Sequence, residues 1–140
     1  MEIISAAKKD FKIFLPIKQE FNKGYGISEK KESFILKEFE NYLNKGIIAL
    51  AVIDKRIVGY LSGLIEEDLY EKYGHIAEIF VSEHFRGKGI STKLKDKFLD
   101  FIRTKRTNLC RIYVNPSNPA QEAYKKWGFK IDKYRMSLRF

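Results

Sequence analysis

The sequence predicts a mixed α+β (α/β) fold in a single domain, residues 1–140, and three observations carry that expectation. Short runs of β-branched and aromatic residues alternate with segments whose apolar residues recur at helical spacing. Two apolar runs in the middle of the chain, separated by three polar residues, read as an antiparallel hairpin. The second half runs strand, helix, strand, helix, strand, the order of a parallel pair joined by a right-handed crossover. With no Pro/Gly/Ser-rich linker or composition shift, 140 residues suffice to bury one core.

In chain order, "MEIISA" reads as a short edge strand. In "KKDFKIFLPIKQEF", residues Phe11, Ile13, Phe14, Ile17 and Phe21 suit a helix, with an interruption expected near Pro16. From Ser28, a candidate N-cap, the set Ile35, Phe39, Tyr42 and Leu43 marks a second helix that Gly46 stops. "IIALAVI" and "IVGYLSGL" form the hairpin across Asp54, Lys55 and Arg56. A polar loop, "EEDLYEKYG", leads into "HIAEIFVS", whose apolar character predicts a central strand covered on both faces. The stripe Ile90, Leu94, Phe98, Phe101 and Ile102 then marks a helix, "LCRIYV" a further buried strand, and "NPAQEAYKKWGF" a short helix ending at Gly128. "FKIDKYRMSLRF" is expected to close the sheet as a hairpin or pair of strands, for about six to seven strands in all.

Composition excludes several classes. No apolar stretch approaches the roughly 18 residues of a membrane span, and "MEIISAAKKDFKIF" lacks the basic-then-apolar pattern of a signal peptide. A cytoplasmic protein with no membrane association is expected. Cys110 is the one cysteine, so neither an internal disulfide nor a cysteine metal cluster can form; an inert thiol and no metal are expected. Net charge is +9, and from Arg86 to Arg111 nine basic residues face two acidic ones. This polarity implies a polyanionic partner, either a phosphorylated cofactor or nucleic acid, against a plain solvated helix face.

The charge centres on "RGKGIS", which follows the central strand and opens a helix. Backbone N–H groups at a helix start lack intrahelical partners and converge on one point, where an anion is stabilised. Gly87 and Gly89 allow close approach to phosphate oxygens, and Arg86 and Lys88 add charge at the rim. The spacing fits neither a Walker A loop nor a dinucleotide fingerprint, whose third glycine would stand at Thr92. A plain tight turn is the competing reading.

Arg86, Gly89 and, imperfectly, Ser91 match the Arg/Gln-x-x-Gly-x-Gly/Ala signature for acetyl-CoA, and with "VGYLSG" and "AYKKWGF" the chain resembles the GCN5-related N-acetyltransferase (GNAT) superfamily, most clearly from Ile47 to Phe129. The resemblance implies a mixed, mostly antiparallel sheet with helices on both faces and a splayed parallel pair, "HIAEIFVS" beside "LCRIYV". It implies acetyl-CoA as acyl donor, with the pyrophosphate on Arg86, Gly87, Lys88, Gly89, Ile90, Ser91 and Thr92. Main-chain groups of Ile79, Phe80 and Val81 would pair with the pantetheine arm, and an N–H there would stabilise the oxyanion. Asn115 and Asn118 would contact the same arm, with turn formation around Pro116 and Pro119 as the equal alternative. Tyr124 takes the place of the general acid that protonates the departing thiolate, and also contacts the cofactor.

The residues themselves nominate Glu78 as general base, because alternation places it on a strand face with Ile76 and Phe80, where burial favours a proton. Pairing with a neighbouring Lys or Arg is the structural alternative, and His75 is a second candidate base. The leading function is acetyl transfer from acetyl-CoA to a primary amine of an unidentified small molecule or peptide by direct attack. A basic nucleic-acid-binding module and a non-catalytic CoA sensor are the alternatives, the first resting on Lys93, Lys97, Arg103, Lys105 and Arg106. Glu66, Glu67, Asp68 and Glu71 form the one dense acidic patch, which predicts a cationic acceptor if it faces the entrance. Either a monomer or a homodimer is compatible with the sequence.

Overall fold

A computed structural model describes residues 1–140. Glu2–Ser5 (β1), Gly46–Ile53 (β2), Arg56–Glu67 (β3), Lys72–Val81 (β4) and Cys110–Ile112 (β5) form one sheet in that order. The first four strands pair antiparallel, while β4 and β5 run parallel. Helices Phe11–Gly24 (α1) and Glu32–Lys45 (α2) cover one face, and Ile90–Thr104 (α3) covers the other as the crossover between the parallel strands. Gln121–Lys126 (α4) follows β5. No helix is long and apolar enough to cross a membrane.

The mixed sheet, its hairpins and the parallel pair agree with the sequence expectation, and several boundaries do not. Helix α1 continues through Pro16 without interruption. Pro16 is exposed, so the carbonyl that loses its N–H partner faces solvent, while Phe11, Phe14, Ile17 and Phe21 bury the opposite side. Helix α2 starts at Glu32 rather than beside Ser28, because residues 28–31 are all exposed and the buried stripe begins only at Ile35. Its stop at Gly46 is as expected. The β2–β3 turn needs two residues, Asp54 and Lys55, both with positive φ (48° and 64°), as a type I′ turn requires. The "EEDLYEKYG" segment is mostly strand: Glu66 pairs with Tyr73 and Glu67 with Lys72, leaving a four-residue turn.

The sheet has five strands because residues after Phe129 pair with nothing. Ile131, Tyr134, Met136 and Leu138 stand exposed, and β5 is a half-buried edge rather than an interior strand.

Helix α3 sits close on the sheet because Gly63 and Gly74 lie beneath it. A Cβ on Gly63 would come within 2.2 Å of the Phe98 ring, and one on Gly74 within 2.5 Å of Ile102. With Ile90, Leu94, Phe98 and Ile102 buried, the helix N-terminus and the glycine turn before it are fixed at the end of β4.

Candidate active site

Two features at the C-terminal end of β4 define the site. The first is a gap: β4 pairs with β5 only at Gly74, His75 and Ile76, so from Ala77 to Val81 its β5 side has no strand partner. Registers Ser62↔Glu78 and Gly63↔Ile76 leave Ala77 as the extra residue of a β-bulge. A bulge bends its strand, and this one stands where the parallel pair separates.

The bulge also reverses the alternation. Ile76 packs with the α3 cluster, whereas Phe80 packs with the α1/α2 cluster. Glu78 therefore shares a face with Phe80 and Tyr60 but not with Ile76, which corrects the simple period-2 reading. His75 is brought to that same face, its ring edge-on to Tyr113 with centroids 5.0 Å apart.

Backbone direction on β4 follows from one bond. The Ser82 N–H donates to the Val58 carbonyl at 2.9 Å, so Ser82 and, by alternation, Phe80 turn their main chains toward β3. Ile79 and Val81 then direct theirs to the open side. Phe80 was expected to offer main-chain contacts as well; its backbone is committed to β3, and it contributes a ring over which Arg86 lies at 5.5 Å. Arg86 Nε donates to the Val81 carbonyl at 2.8 Å, so this side chain braces the strand end instead of pointing wholly outward.

The second feature is the turn into α3. Gly87 and Gly89 have φ of 76° and 78°, and Gly89 is the left-handed N-cap. A Cβ at either position meets nothing within 4 Å, so conformation and open space, rather than crowding, account for glycine there. None of the N–H groups from Gly87 to Thr92 donates to a backbone carbonyl, and no side chain caps the helix. A row of free amides at a helix start with clear space above it fits a pyrophosphate. Lys88 lies over the Phe85 ring at 5.5 Å.

Helix α4 docks on this turn through Trp127, whose Nε1 donates to Thr92 Oγ1 at 3.2 Å. Tyr124 stacks beside Trp127 at 5.6 Å, and burial, then the nearby Tyr25, push its phenol above the ordinary range. It thus keeps its proton at neutral pH, as a proton donor must. Asn115 Oδ1 accepts from the Ser117 N–H and hydroxyl, and Asn118 Oδ1 accepts from the Ala120 N–H. Both oxygens help form the turn before α4, and both amide NH₂ groups remain unpaired. Burial pushes the Cys110 thiol up to about 12, which makes it a poor nucleophile.

Glu78 is tightly held. Lys18 Nζ donates to its Oε2 at 2.6 Å, and the Tyr60 hydroxyl donates to Oε1 at 3.0 Å. Sequence reasoning allowed for a basic partner without identifying it; Lys18 lies 60 positions earlier, and only its place in the core stripe of α1 marks it. The Ala77 bulge left no sequence signal at all. In the acidic patch, Asp68 accepts from the Tyr70 and Glu71 amides and from Arg111, and these bonds hold its carboxyl below the usual range. Glu71 also pairs with Arg111, at 2.6 Å; Glu66 accepts from the Tyr73 hydroxyl at 3.1 Å with His75 Nδ1 3.5 Å away, and neither Glu66 nor Glu67 has a lysine or arginine partner.

A family model described as "Acetyltransferase (GNAT) family" matches residues 14–129. An uncharacterized N-acetyltransferase of Archaeoglobus fulgidus is 28% identical over 130 residues, covering 84% of each chain. The catalytic subunit of the N-terminal acetyltransferase B complex from Arabidopsis thaliana is 30% identical over 87 residues, 61% of this chain and 49% of that protein. Among solved structures, the aminoglycoside acetyltransferase AAC(6')-Iy in complex with a CoA bisubstrate analogue superposes with a TM-score of 0.86 at 16% identity, covering 99% of this chain and 97% of its own.

Proposed function

The chain belongs to the acetyltransferase (GNAT) family, and from that premise we propose that it transfers acetyl from acetyl-CoA to the primary amine of a cationic acceptor, a small molecule or a peptide, in the cytoplasm. The observation that carries the reading is the row of unpaired amides from Gly87 to Thr92 beside the open edge of β4. Acetyl-CoA supplies an acetyl group activated as a thioester. The Gly87–Thr92 amides hold its pyrophosphate, and the outward main-chain groups of Ile79 and Val81 align the arm and donate to the carbonyl oxygen as it gains charge.

The acceptor nitrogen must be uncharged to attack, and we assign Glu78 to take its proton; its position on one face of β4 with Tyr60 and Phe80, next to the open edge, supports the role. As the N–C bond forms and the C–S bond breaks, Tyr124 delivers a proton to the sulfur. Relatives differ in acceptor: one is a subunit of an N-terminal acetyltransferase and one structural neighbour is complexed with a CoA–acetylneamine conjugate. Each such acceptor class offers an amine, and the residual charge of Glu66 and Glu67 favours a cationic one.

The test is release of free thiol from acetyl-CoA in the presence of peptides, polyamines and aminoglycosides. The reading predicts amine-dependent release with at least one cationic class. Absence of release with every amine, in a protein whose melting temperature acetyl-CoA does not raise, would contradict it.

A further inference from the structure

We propose that Lys18 is an internal occupant of the acceptor's ammonium site: Glu78, Tyr60, Ser62 and Phe21 form a subsite for one alkylammonium group, and in the free protein the chain's own lysine fills it. The inference rests on the reading of β4's open edge as the place where the acetyl group is delivered, since Glu78 is the first residue past the Ala77 bulge, where that edge begins.

Three observations and one general consideration support it. Phe14, Ile17, Lys18 and Phe21 follow helical core spacing, so Lys18 occupies a position where an apolar residue is expected, and it is only 6% exposed. Its Nζ has two contacts that suit an ammonium group, the Glu78 carboxylate at 2.6 Å and the face of Phe21 at 4.7 Å, with Tyr60 donating to the second carboxylate oxygen. Ser62, the cross-strand partner of Glu78, is 0% exposed, and its hydroxyl has no hydrogen-bond partner. A buried hydroxyl left unpaired costs stability unless something else uses it, and a donor such as a ligand amine held by Glu78 would supply the missing partner. Finally, a buried ion pair is weak evidence for a purely structural role, since replacing both partners by apolar groups is often neutral or stabilising, whereas removing one alone leaves the other charge uncompensated.

Lysine suits an occupant that must yield. Its four-carbon stem is flexible and its charge is a point, unlike the planar fork of arginine, which grips a carboxylate with two parallel bonds. When Lys18 withdraws to solvent, Glu78 and Tyr60 receive the incoming ammonium in the same geometry. Self-occupancy lowers apparent affinity by the fraction of time the subsite is free. A lysine bound nine-tenths of the time therefore weakens the acceptor about tenfold.

The experiment is calorimetric titration of spermidine into the wild type, Lys18→Met, Lys18→Arg and Lys18→Met/Glu78→Gln, each checked for the melting shift caused by CoA. Lys18→Met is expected to bind spermidine about tenfold or more tightly than the wild type, Lys18→Arg more weakly, and the double variant to lose the gain. Unchanged or weaker binding by a folded Lys18→Met, or a gain that survives Glu78→Gln, overturns the proposal. Should Lys18→Met fail to fold, Lys18→Arg decides, and equal or tighter binding overturns it. Loss of the CoA shift in the wild type would count against the acetyltransfer reading alone, because the spermidine comparison needs no turnover.

Discussion

The two faces of the sheet bury eleven core residues each, yet they are built from different materials. The buried core of the α3 face is aliphatic apart from Phe98, with Ile47, Val58, Leu61 and Ile76 of the sheet meeting Ile90, Leu94 and Ile102 of the helix. Toward α1 and α2 the core is aromatic, Phe14, Phe21, Phe39, Tyr60 and Phe80 meeting at ring centroids of 5.0 to 6.4 Å, and it encloses the Lys18–Glu78 pair. The α3 face offers backbone: a tightly seated helix presents a row of amides without intrahelical partners, and the side chains beneath hold it still. The opposite face places polar side chains among rings, where low polarity strengthens each charged contact. A fixed anion is suited by the first arrangement and an exchangeable cation by the second.

The largest effect that distinguishes the faces comes from their anchors. Phe98→Ala and Phe39→Ala each remove a buried ring and should each cost about 3–5 kcal/mol of stability in denaturant unfolding. They should differ in ligand response: at a temperature where both are folded, only Phe98→Ala loosens the seat of the amide row and weakens CoA. Equal weakening by the two would erase the division of labour.

Gly89→Val acts on the turn itself. A β-branched residue is strained at φ 78°, and its side chain would occupy the open space above the amides. At a CoA concentration of 100 times Kd the wild type gains about 2.7 kcal/mol, and the variant should gain nearly none. A full melting shift in Gly89→Val would move the phosphate elsewhere.

How much of this was readable without coordinates follows the same division. The glycine turn and the Ile90, Leu94, Phe98, Ile102 stripe are local patterns, and the crossover they imply is present. Contacts between distant segments are absent from any local pattern: Lys18 meets Glu78 across 60 residues, and Arg111 meets Asp68 across 43. The bulge at Ala77 is invisible because alanine fits either pairing, yet it decides which face Glu78 joins. Pro16 and Ser28 misled for a shared reason. Propensity marks where a helix can break or start, and burial of Phe14, Ile17 and Ile35 decides whether it does. The terminal alternation of Tyr134, Met136, Leu138 and Phe140 has strand character without a strand to meet.

Tyr124→Phe should lower the turnover number by roughly 10²-fold while leaving acetyl-CoA affinity nearly unchanged, because it removes a proton donor and keeps the ring against Trp127. A folded variant with unchanged turnover removes Tyr124 from the chemistry. The smallest expected effect concerns the β3–β4 turn. The folded state depresses the Asp68 pKa below 3.8, so its contribution is present above that pH and is lost as pH falls through the lower folded value. Asp68→Asn should flatten this acid-limb change in an unfolding series from pH 5 downward, with little effect at neutrality. An unaltered pH dependence would show that the turn does not rely on the carboxylate.

Residue-resolved amide hydrogen exchange with and without CoA tests the central claim most directly. CoA should slow exchange at the amides of Gly87 through Thr92 and at Ile79 and Val81, while Phe80, already paired with β3, should be protected in both states. Protection that appears elsewhere while these amides exchange as fast as in the free protein would contradict the account.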